Sequence, residues 1–556
     1  MSAVLKETKT SDRASRLEKA EQLVGTKGKF VPAQMASSLL EVILRPGDRV
    51  CLEGNNQKQA DFLVNALLSV NPEIINNLHL LQSTICLQEH LDLFRKGIAS
   101  HIDFAFSGPQ AKELATMLLK DEISIGAIHT YLELFGRYFT DLTPKVSLVA
   151  AELADPDGNL YTGPHTEETP TIVEATAFKQ GLVVVQVAKV CKALPRVDIP
   201  GDWVDFVIET GQPPLSIPLF TRDPSSITDK QILMGMMVIK GIYAHYGVQS
   251  LNHGIGSATA AIELLLPTYG YALGLKGKVC THWILNPHPT IIPAIETGWV
   301  KSIHSFGSEP GMEEYVRARS DVFFTGHDGS LRSNRLISQV AGLYAVDAFT
   351  GATLQIDEFG NSSTTTRDRI AGFGGAPNLG SNPKGRRYTS PSFRKAGEED
   401  PLSSKQIGGL PRGRKLVIQI TPTRSEKRDI SVFRKELDAV ALWREDYFSQ
   451  PPIMVYGDEI THIVTEVGIA HVHRCSCLDE RKAAIRAIAG ETELGAEEKF
   501  DETCELRRRG IVQFPSDIGI QEGTVDRSLL SARSFEDLVQ WSGGYYKPPR
   551  LTKRKK

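Results

Sequence analysis

Three glycines in four positions open the segment GFGGAPNLG, Gly372 to Gly380. Glycines so placed let a backbone approach a ligand closely and adopt positive φ. Successive N–H groups there, around Gly374 and Gly375, can stabilise a developing oxyanion, with Gly372 beside the substrate. A tight turn between elements would use the same residues. The segment EGNNQKQADFL, Glu53 to Leu63, sets Asn55, Asn56 and Gln57 between a strand and a helix. Their amides can bond a carbonyl oxygen at a helix start, or simply cap that helix. LNHGIGSA, Leu251 to Ala258, adds His253 and the turn Gly254 to Gly256; a histidine beside glycines is a titratable group or a structural one. HWILNPHPTIIP carries His282, Asn286 and His288 on a proline-stiffened loop. Lys384, Arg386 and Arg387 follow the glycine segment, and arginine pairs well with carboxylates. A solvated loop surface is the other reading.

Some chemistries are excluded. The glycine spacing matches no dinucleotide fingerprint, and no P-loop lysine follows it. No Gly-x-Ser-x-Gly elbow accompanies the histidines. Cys475 and Cys477 are separated by one residue, poor spacing for zinc, and no second pair completes a ligand set, so no metal site is expected.

The elements that hold these residues repeat. RPGDRVCLEGNNQKQADFLVNALL and GVQSLNHGIGSATAAIELLL both read as strand, glycine turn and helix, and Gly54 and Gly256 lie 202 residues apart. ASHIDFAFSGPQ matches ARSDVFFTGHDGS, with Gly108 and Gly326 218 residues apart. AELADPDGNLYTG matches LQIDEFGNSSTTT, with Gly158-Asn159 and Gly360-Asn361 again 202 apart. Apolar runs such as VSLVAAEL, GLVVVQVAKV and KLVIQI alternate with helical runs. That pattern predicts an α/β fold of two related lobes with mainly parallel sheets, and a site in the cleft between them. The expected parts are an extension over 1–35, a first lobe over 36–240, a second over 241–490 and an extension over 491–556. Residues 376–415, rich in Gly, Pro, Ser and charge, read as a long loop, partly mobile.

Of the 556 residues, 41% are hydrophobic and 23% charged, as in an ordinary soluble protein. A net charge of −3 supplies no global field toward nucleic acid or membrane. No apolar stretch is long enough to span a bilayer and the N-terminus lacks a signal-peptide core, so a cytoplasmic enzyme is expected. Seven scattered cysteines suggest no disulfide framework.

The motifs together resemble the coenzyme A transferase superfamily. SLNHGIGSATAAIELLLP is similar to the strand–turn–helix that opens its second half, and VRARSDVFFTG, GATLQIDEFGN and GFGGAPNLG follow in its order. HIVTEVGIAHVHRCSCLDERKAAI resembles the ending of its hydrolase-type members. LEGNNQKQADFL, IGAIHTYLELF, DGNLYTGPHTEETP, LPRVDIPGDWVDFV, LNPHPTIIPAIETGWV, GSLRSNR and GFGGAPNLGSNPKGRR narrow the resemblance to malonate decarboxylase alpha subunits. It implies exchange of acetyl for malonyl on an acyl carrier protein. It also implies the partners: that carrier (the delta subunit), with its phosphoribosyl-dephospho-CoA arm, and the beta and gamma decarboxylase subunits. No tightly bound cofactor is implied, and CoA is the alternative thioester arm.

One departure bears on mechanism. Ketoacid-type members carry a nucleophilic glutamate where this chain has Leu285 or Asn286. Malonate itself is then the expected nucleophile, attacking the acetyl thioester to form a mixed anhydride. Gly374 and Gly375 would hold one oxyanion and Asn55 or Asn56 another. Gly254, Gly256, Gly372 and Asn286 would line the substrate, and Arg386 or Arg387 would bind malonate's second carboxylate. Glu53, Glu263, Glu296 and Glu309 are the glutamates near the motifs that would serve a covalent route. A thioester hydrolase, a transferase for another carboxylate and a noncatalytic scaffold are the other readings.

Overall fold

The fold is described from a computed structural model covering residues 2–25, 28–55, 58–219, 222–286, 288–402, 410, 412–425 and 429–549, with side chains from residue 12 onward. Apolar runs buried on both faces build two sheets. In the first, β1 (Arg49–Leu52) lies in the middle. β2 (Leu78–Thr84), β3 (Ala99–Phe106) and β4 (Ser124–Ile128) add in turn on one side, all parallel. The chain then crosses back to β5 (Val146–Ala154), β7 (Leu182–Val190) and β8 (Phe206–Glu209) on the other side. The short β6 (Leu160–Tyr161) folds back antiparallel on β5.

The second sheet repeats this plan. β9 (Ser250–His253) is central, and β10 (His282–Leu285) and β11 (Ser302–Ser305) extend one side. β12 (Ala348–Gly351), Leu416–Ile420 and His462–Val464 extend the other, all parallel. Helices cover the sheets, as the alternation of runs predicts.

Two of the three sequence repeats occupy equivalent places. Gly54 and Gly256 each follow the central strand of their sheet. The Gly-Asn pairs form the same turn: Asp155 accepts from the Asn159 backbone N–H at 2.9 Å and its Nδ2 at 2.8 Å, and Asp357 from Asn361 at 2.8 and 2.9 Å. Each asparagine Oδ1 then accepts a distant glycine N–H, Gly201 at 2.8 Å and Gly457 at 2.9 Å. The middle match is out of register. Gly108 follows β3, whereas Phe323 pairs with Ile303 on β11 by a single parallel bridge and so stands one strand further out.

The lobe boundaries also shift. A boundary at residue 240 would cut a helix whose residues Ile232 to Ile242 pack in the second core. The helix Ser2–Val24 is held to the first lobe by Arg13–Asp205 at 2.5 Å and Arg16–Asp48 at 2.5 Å, so residues 1–35 are no separate extension. Beyond residue 490, Val512–Gln513 joins the second sheet through Ile469–Ala470. Within the expected loop over 376–415, Ala376–Leu379 and Pro391–Glu398 are helices packed on the lobe. No described helix is long and apolar enough to cross a membrane.

Candidate active site between the lobes

A cavity of about 170 Å³ opens where the carboxyl ends of β3, β9, β10 and β12 meet. Ligands bind at such strand ends in parallel sheets. The lobes are stitched together beside it. Gly372 bridges Phe106 antiparallel, and the Ser107 N–H donates to the Ala371 carbonyl at 3.0 Å. Gly372 has φ 76°, and an added Cβ would lie 2.5 Å from the Ala105 carbonyl oxygen, so both conformation and contact require glycine there.

Gly374 and Gly375 both line the cavity, but their N–H groups differ. The Phe373 and Gly374 N–H groups both donate to the Ala105 carbonyl, at 2.7 and 2.9 Å. Gly374 is therefore a fastening to the first lobe, which corrects its expected role as an oxyanion donor. The Gly375 N–H donates to no protein acceptor among the described residues. Against Gly375 lies Gln339, whose Oε1 accepts from Asn378 at 2.6 Å and whose Nε2 likewise has no protein acceptor. These two are the candidate oxyanion donors.

Gly254 lines the cavity floor, its N–H donating to Thr350 at 2.7 Å. Gly256 caps the helix Ser257–Leu265 just behind. Asn286, at the end of β10, faces the cavity with its Oδ1 buried and unpaired. His253 also lines it, but both ring nitrogens are engaged: Nδ1 lies 3.1 Å from Glu263 and Nε2 2.9 Å from the Tyr243 hydroxyl. His288 stands on the cavity wall with Nδ1 3.7 Å from the same Glu263. Burial works against the charge of Glu263, but His253 and His288 prevail and hold its carboxyl down to about 2. Glu263 lies behind the histidines.

The charge in the cavity is Arg335, on the helix Arg335–Tyr344. Its guanidinium stacks over Tyr131 at 4.8 Å and pairs with Glu167 at 2.9 Å, while Nε is buried without a partner. Burial opposes its charge, yet Glu167, Tyr131 and Glu168 raise its pKa above the ordinary value. Glu167 adopts φ 42°, a left-handed conformation that costs a non-glycine residue about 1–3 kcal/mol. The Arg335 pair accompanies that strained conformation. Next to it, the buried Glu168 accepts from the Ser83 hydroxyl at 2.7 Å and is pushed up to about 7 by burial.

Other expected residues lie elsewhere. Asn55 accepts the Lys58 N–H at 2.9 Å and closes its own turn, outside the cavity lining. Asn56 lies outside the described residues. Arg386 is buried under the second lobe, donating to Val346 at 2.7 Å, pairing with Asp347 at 3.3 Å and stacking on Phe393. Arg387 is exposed and donates to the Lys384 carbonyl at 2.8 Å. Neither lines the cavity, so neither is placed to hold a substrate carboxylate there. Glu53 is buried against Ala150, Thr169 and Lys58, and Glu296 pairs with Arg319. Among the described residues, no Asp, Glu, Cys, Ser or Lys lines the cavity. Arg335 and Gln339 were missed. They lie one helical turn apart, i and i+4, behind an Asn334 N-cap, a spacing that an ordinary polar helix face shares.

Comparison with known proteins adds the family. Residues 6–554 match the family described as malonate decarboxylase, alpha subunit, transporter. The chain belongs to that family. It is 56% identical over 540 residues to the acetyl-S-ACP:malonate ACP transferase of Malonomonas rubra, covering 97% of each chain. A Pseudomonas malonate decarboxylase hetero-tetramer, solved in complex with malonate, contains a chain 51% identical to this one, with a TM-score of 0.93 and 98% of both chains covered. An acyl-CoA transferase of Escherichia coli O157:H7, 13% identical, shares the fold of this alpha subunit with a TM-score of 0.51, covering 80% of this chain and 87% of its own. The two lobes of the alpha subunit are thus a coenzyme A transferase fold.

Proposed function

We propose that this chain is a transferase that exchanges acetyl for malonyl on an acyl carrier: acetyl-S-carrier and malonate give malonyl-S-carrier and acetate. The observation that carries the mechanism is that Asn286, not a carboxylate, stands at the end of β10 inside a cavity lined by Arg335 and the free Gly375 N–H. The nucleophile is then the substrate. One malonate carboxylate pairs with Arg335. An oxygen of the other attacks the acetyl carbonyl, the C–S bond breaks and the carrier thiolate leaves. The thiolate attacks the malonyl carbonyl of the mixed anhydride, and acetate departs with the bridging oxygen. No net proton is exchanged. Orientation of two bound reactants supplies about 7–11 kcal/mol. Each oxyanion donor adds about 3–4 kcal/mol. The cavity is smaller than the roughly 300–1,000 Å³ of drug-sized sites, which suits a short diacid and a thioester end.

The carrier's arm is a phosphoribosyl-dephospho-CoA group, with CoA as its free counterpart, and the chain works in the cytoplasm. The carrier protein (delta) and the beta and gamma decarboxylase subunits are its partners, a reading supported by the hetero-tetramer of the Pseudomonas relative. The test is two-substrate kinetics with acetyl-CoA and malonate. Direct attack gives intersecting initial-rate plots and no inactivation by borohydride. Parallel plots, with a reduced glutamate found by mass spectrometry, would replace it with a covalent route. Acetate release that ignores malonate would make the chain a hydrolase.

A further inference from the structure

A second group of chemistry-bearing side chains lies on the first sheet, away from the cavity lining. His101 and Asp103 are two apart on β3 and share a face, and His79 on β2 is directly opposite His101. Asp103 is 2% exposed. Its Oδ1 is fixed by His129 at 2.7 Å, with Arg137 at 3.7 Å. Its Oδ2 is turned toward two imidazoles, His79 Nε2 at 2.7 Å and His101 Nε2 at 3.9 Å. The three donor atoms lie within 4.8 Å of one another. Ligands at about 2.0–2.2 Å from a tetrahedral ion stand roughly 3.4 Å apart, so these separations bracket the spacing needed.

Hydrogen bonding alone does not account for the arrangement. At 3.9 Å His101 is not bonded to the carboxylate, yet its ring packs edge-on to His79 with centroids 4.4 Å apart. The side chains of His79 and His101 keep 20% and 36% of their surface exposed, which leaves an open side. Gly126 on β4 supplies an independent observation. A Cβ there would lie 2.4 Å from Asp103 Oδ2 and 2.8 Å from His101 Nε2. Gly126 does not have positive φ, so its backbone makes no demand for glycine. The missing side chain keeps clear the space in front of the donor atoms.

We infer that His79, His101 and Asp103 form a binding site for one divalent transition-metal ion of the zinc type, completed by water. Two imidazoles and a carboxylate suit such an ion, and an oriented second carboxylate oxygen is the usual support of a ligating one. His129 and Arg137 give that support on Oδ1. The transfer reaction uses none of these side chains, so the site is separate from the activity.

The test uses the full chain, stripped with chelator and titrated with Zn²⁺ against a chromophoric competitor, then with Co²⁺ followed by its visible d–d absorption. One ion per chain is expected, with affinity at least about 10-fold weaker in His101→Ala, which leaves the His79–Asp103–His129 contacts in place. Gly126→Ala fills the space and should lose the Co²⁺ spectrum. If that variant fails to fold by circular dichroism, His101→Ala decides alone. A wild-type chain that retains no zinc overturns the proposal. So does zinc retained equally by His101→Ala, which would place the ion elsewhere, for example at Cys475 and Cys477.

Discussion

In the proposed reaction Arg335 holds malonate's second carboxylate, and it already has a protein partner in Glu167. Substituting it therefore has two effects that can be separated. Arg335→Gln removes the cation offered to malonate and leaves Glu167 buried without its pair. Loss of one side of a buried charged contact costs about 2–5 kcal/mol, or roughly 30- to 5,000-fold in kcat/KM for malonate. The double variant Arg335→Gln/Glu167→Gln should recover most of the thermal stability and none of the malonate turnover. Recovery of turnover by the double variant would show that Arg335 serves only Glu167. At this scale the sequence was partly legible. The glycine segment and Asn286 lie in the cavity because close backbone approach and strand ends leave strong local marks. Arg335 and the cluster of His79, His101 and Asp103 leave none, because strand pairing and lobe packing bring them together. Arg386 was misread because burial against Asp347 and Phe393 is a tertiary fact that a Gly- and Ser-rich stretch conceals.

Between elements, one buried lysine joins the parts that carry the candidate donors. Lys415 Nζ donates to the Gly342 carbonyl at 2.6 Å and the Leu379 carbonyl at 2.5 Å, the last turns of the helices Arg335–Tyr344 and Ala376–Leu379. It thereby fixes Gln339 against Gly375. Burial pushes its amine down to about 7. Lys415→Met keeps the volume and strands the carbonyls, which should cost about 1–3 kcal/mol each. Because the donors lose their register, kcat should fall more than KM changes. An unchanged kcat in a destabilised variant would confine Lys415 to folding. The repeated turns offer a matched test. Asn159→Ala and Asn361→Ala each remove the same two side-chain hydrogen bonds, so each should destabilise its lobe by about 1–3 kcal/mol, read by urea unfolding. Unequal losses beyond the error would mean that the two turns, alike in geometry, differ in load. These turns were legible as Asp-x-x-Gly-Asn because a turn is local. The register of the middle repeat was not, since it depends on which strand a segment joins.

For the whole molecule, the histidines decide how the fold meets acid. His90, His165 and His473 are held down to about 3, by burial above all, and His462 and His471 fall further, with neighbouring His473 and Arg474 adding to burial. In the unfolded chain each takes up a proton as pH falls through about 6.5. In the folded chain burial keeps each neutral to well below that. Unfolding therefore absorbs protons, and the stability these residues contribute is present above pH 6.5 and lost steadily below it. The slope approaches about 1.4 kcal/mol per pH unit for each histidine. Groups held up in the fold oppose it, among them Glu167, Glu152, Glu313 and Asp357, raised by burial, and two more. His129, whose burial is outweighed by Asp103 and Glu133, is raised, so its contribution is present below 6.5 and lost as pH rises through its folded value. Glu168, pushed up to about 7, is neutral in the fold where the unfolded chain is ionised, so its contribution is greatest below about 4.5 and fades as pH rises to 7. The raised carboxylates have their ordinary values near 4, below this window, whereas the imidazoles, with His101, His253 and His304 also lowered by burial, have theirs within it, so the urea midpoint should fall markedly between pH 7 and pH 5. The three beside the second sheet, His462, His471 and His473, pack with ring centroids 4.8 to 6.5 Å apart, so a proton on one disfavours a proton on the next and helps keep the group neutral in the fold. His473→Gln removes one titrating ring and should flatten the profile by up to about 1.4 kcal/mol per pH unit. A midpoint that holds constant from pH 7 to pH 5, in wild type and variant alike, would show that these imidazoles reach solvent and titrate as they do in the unfolded chain.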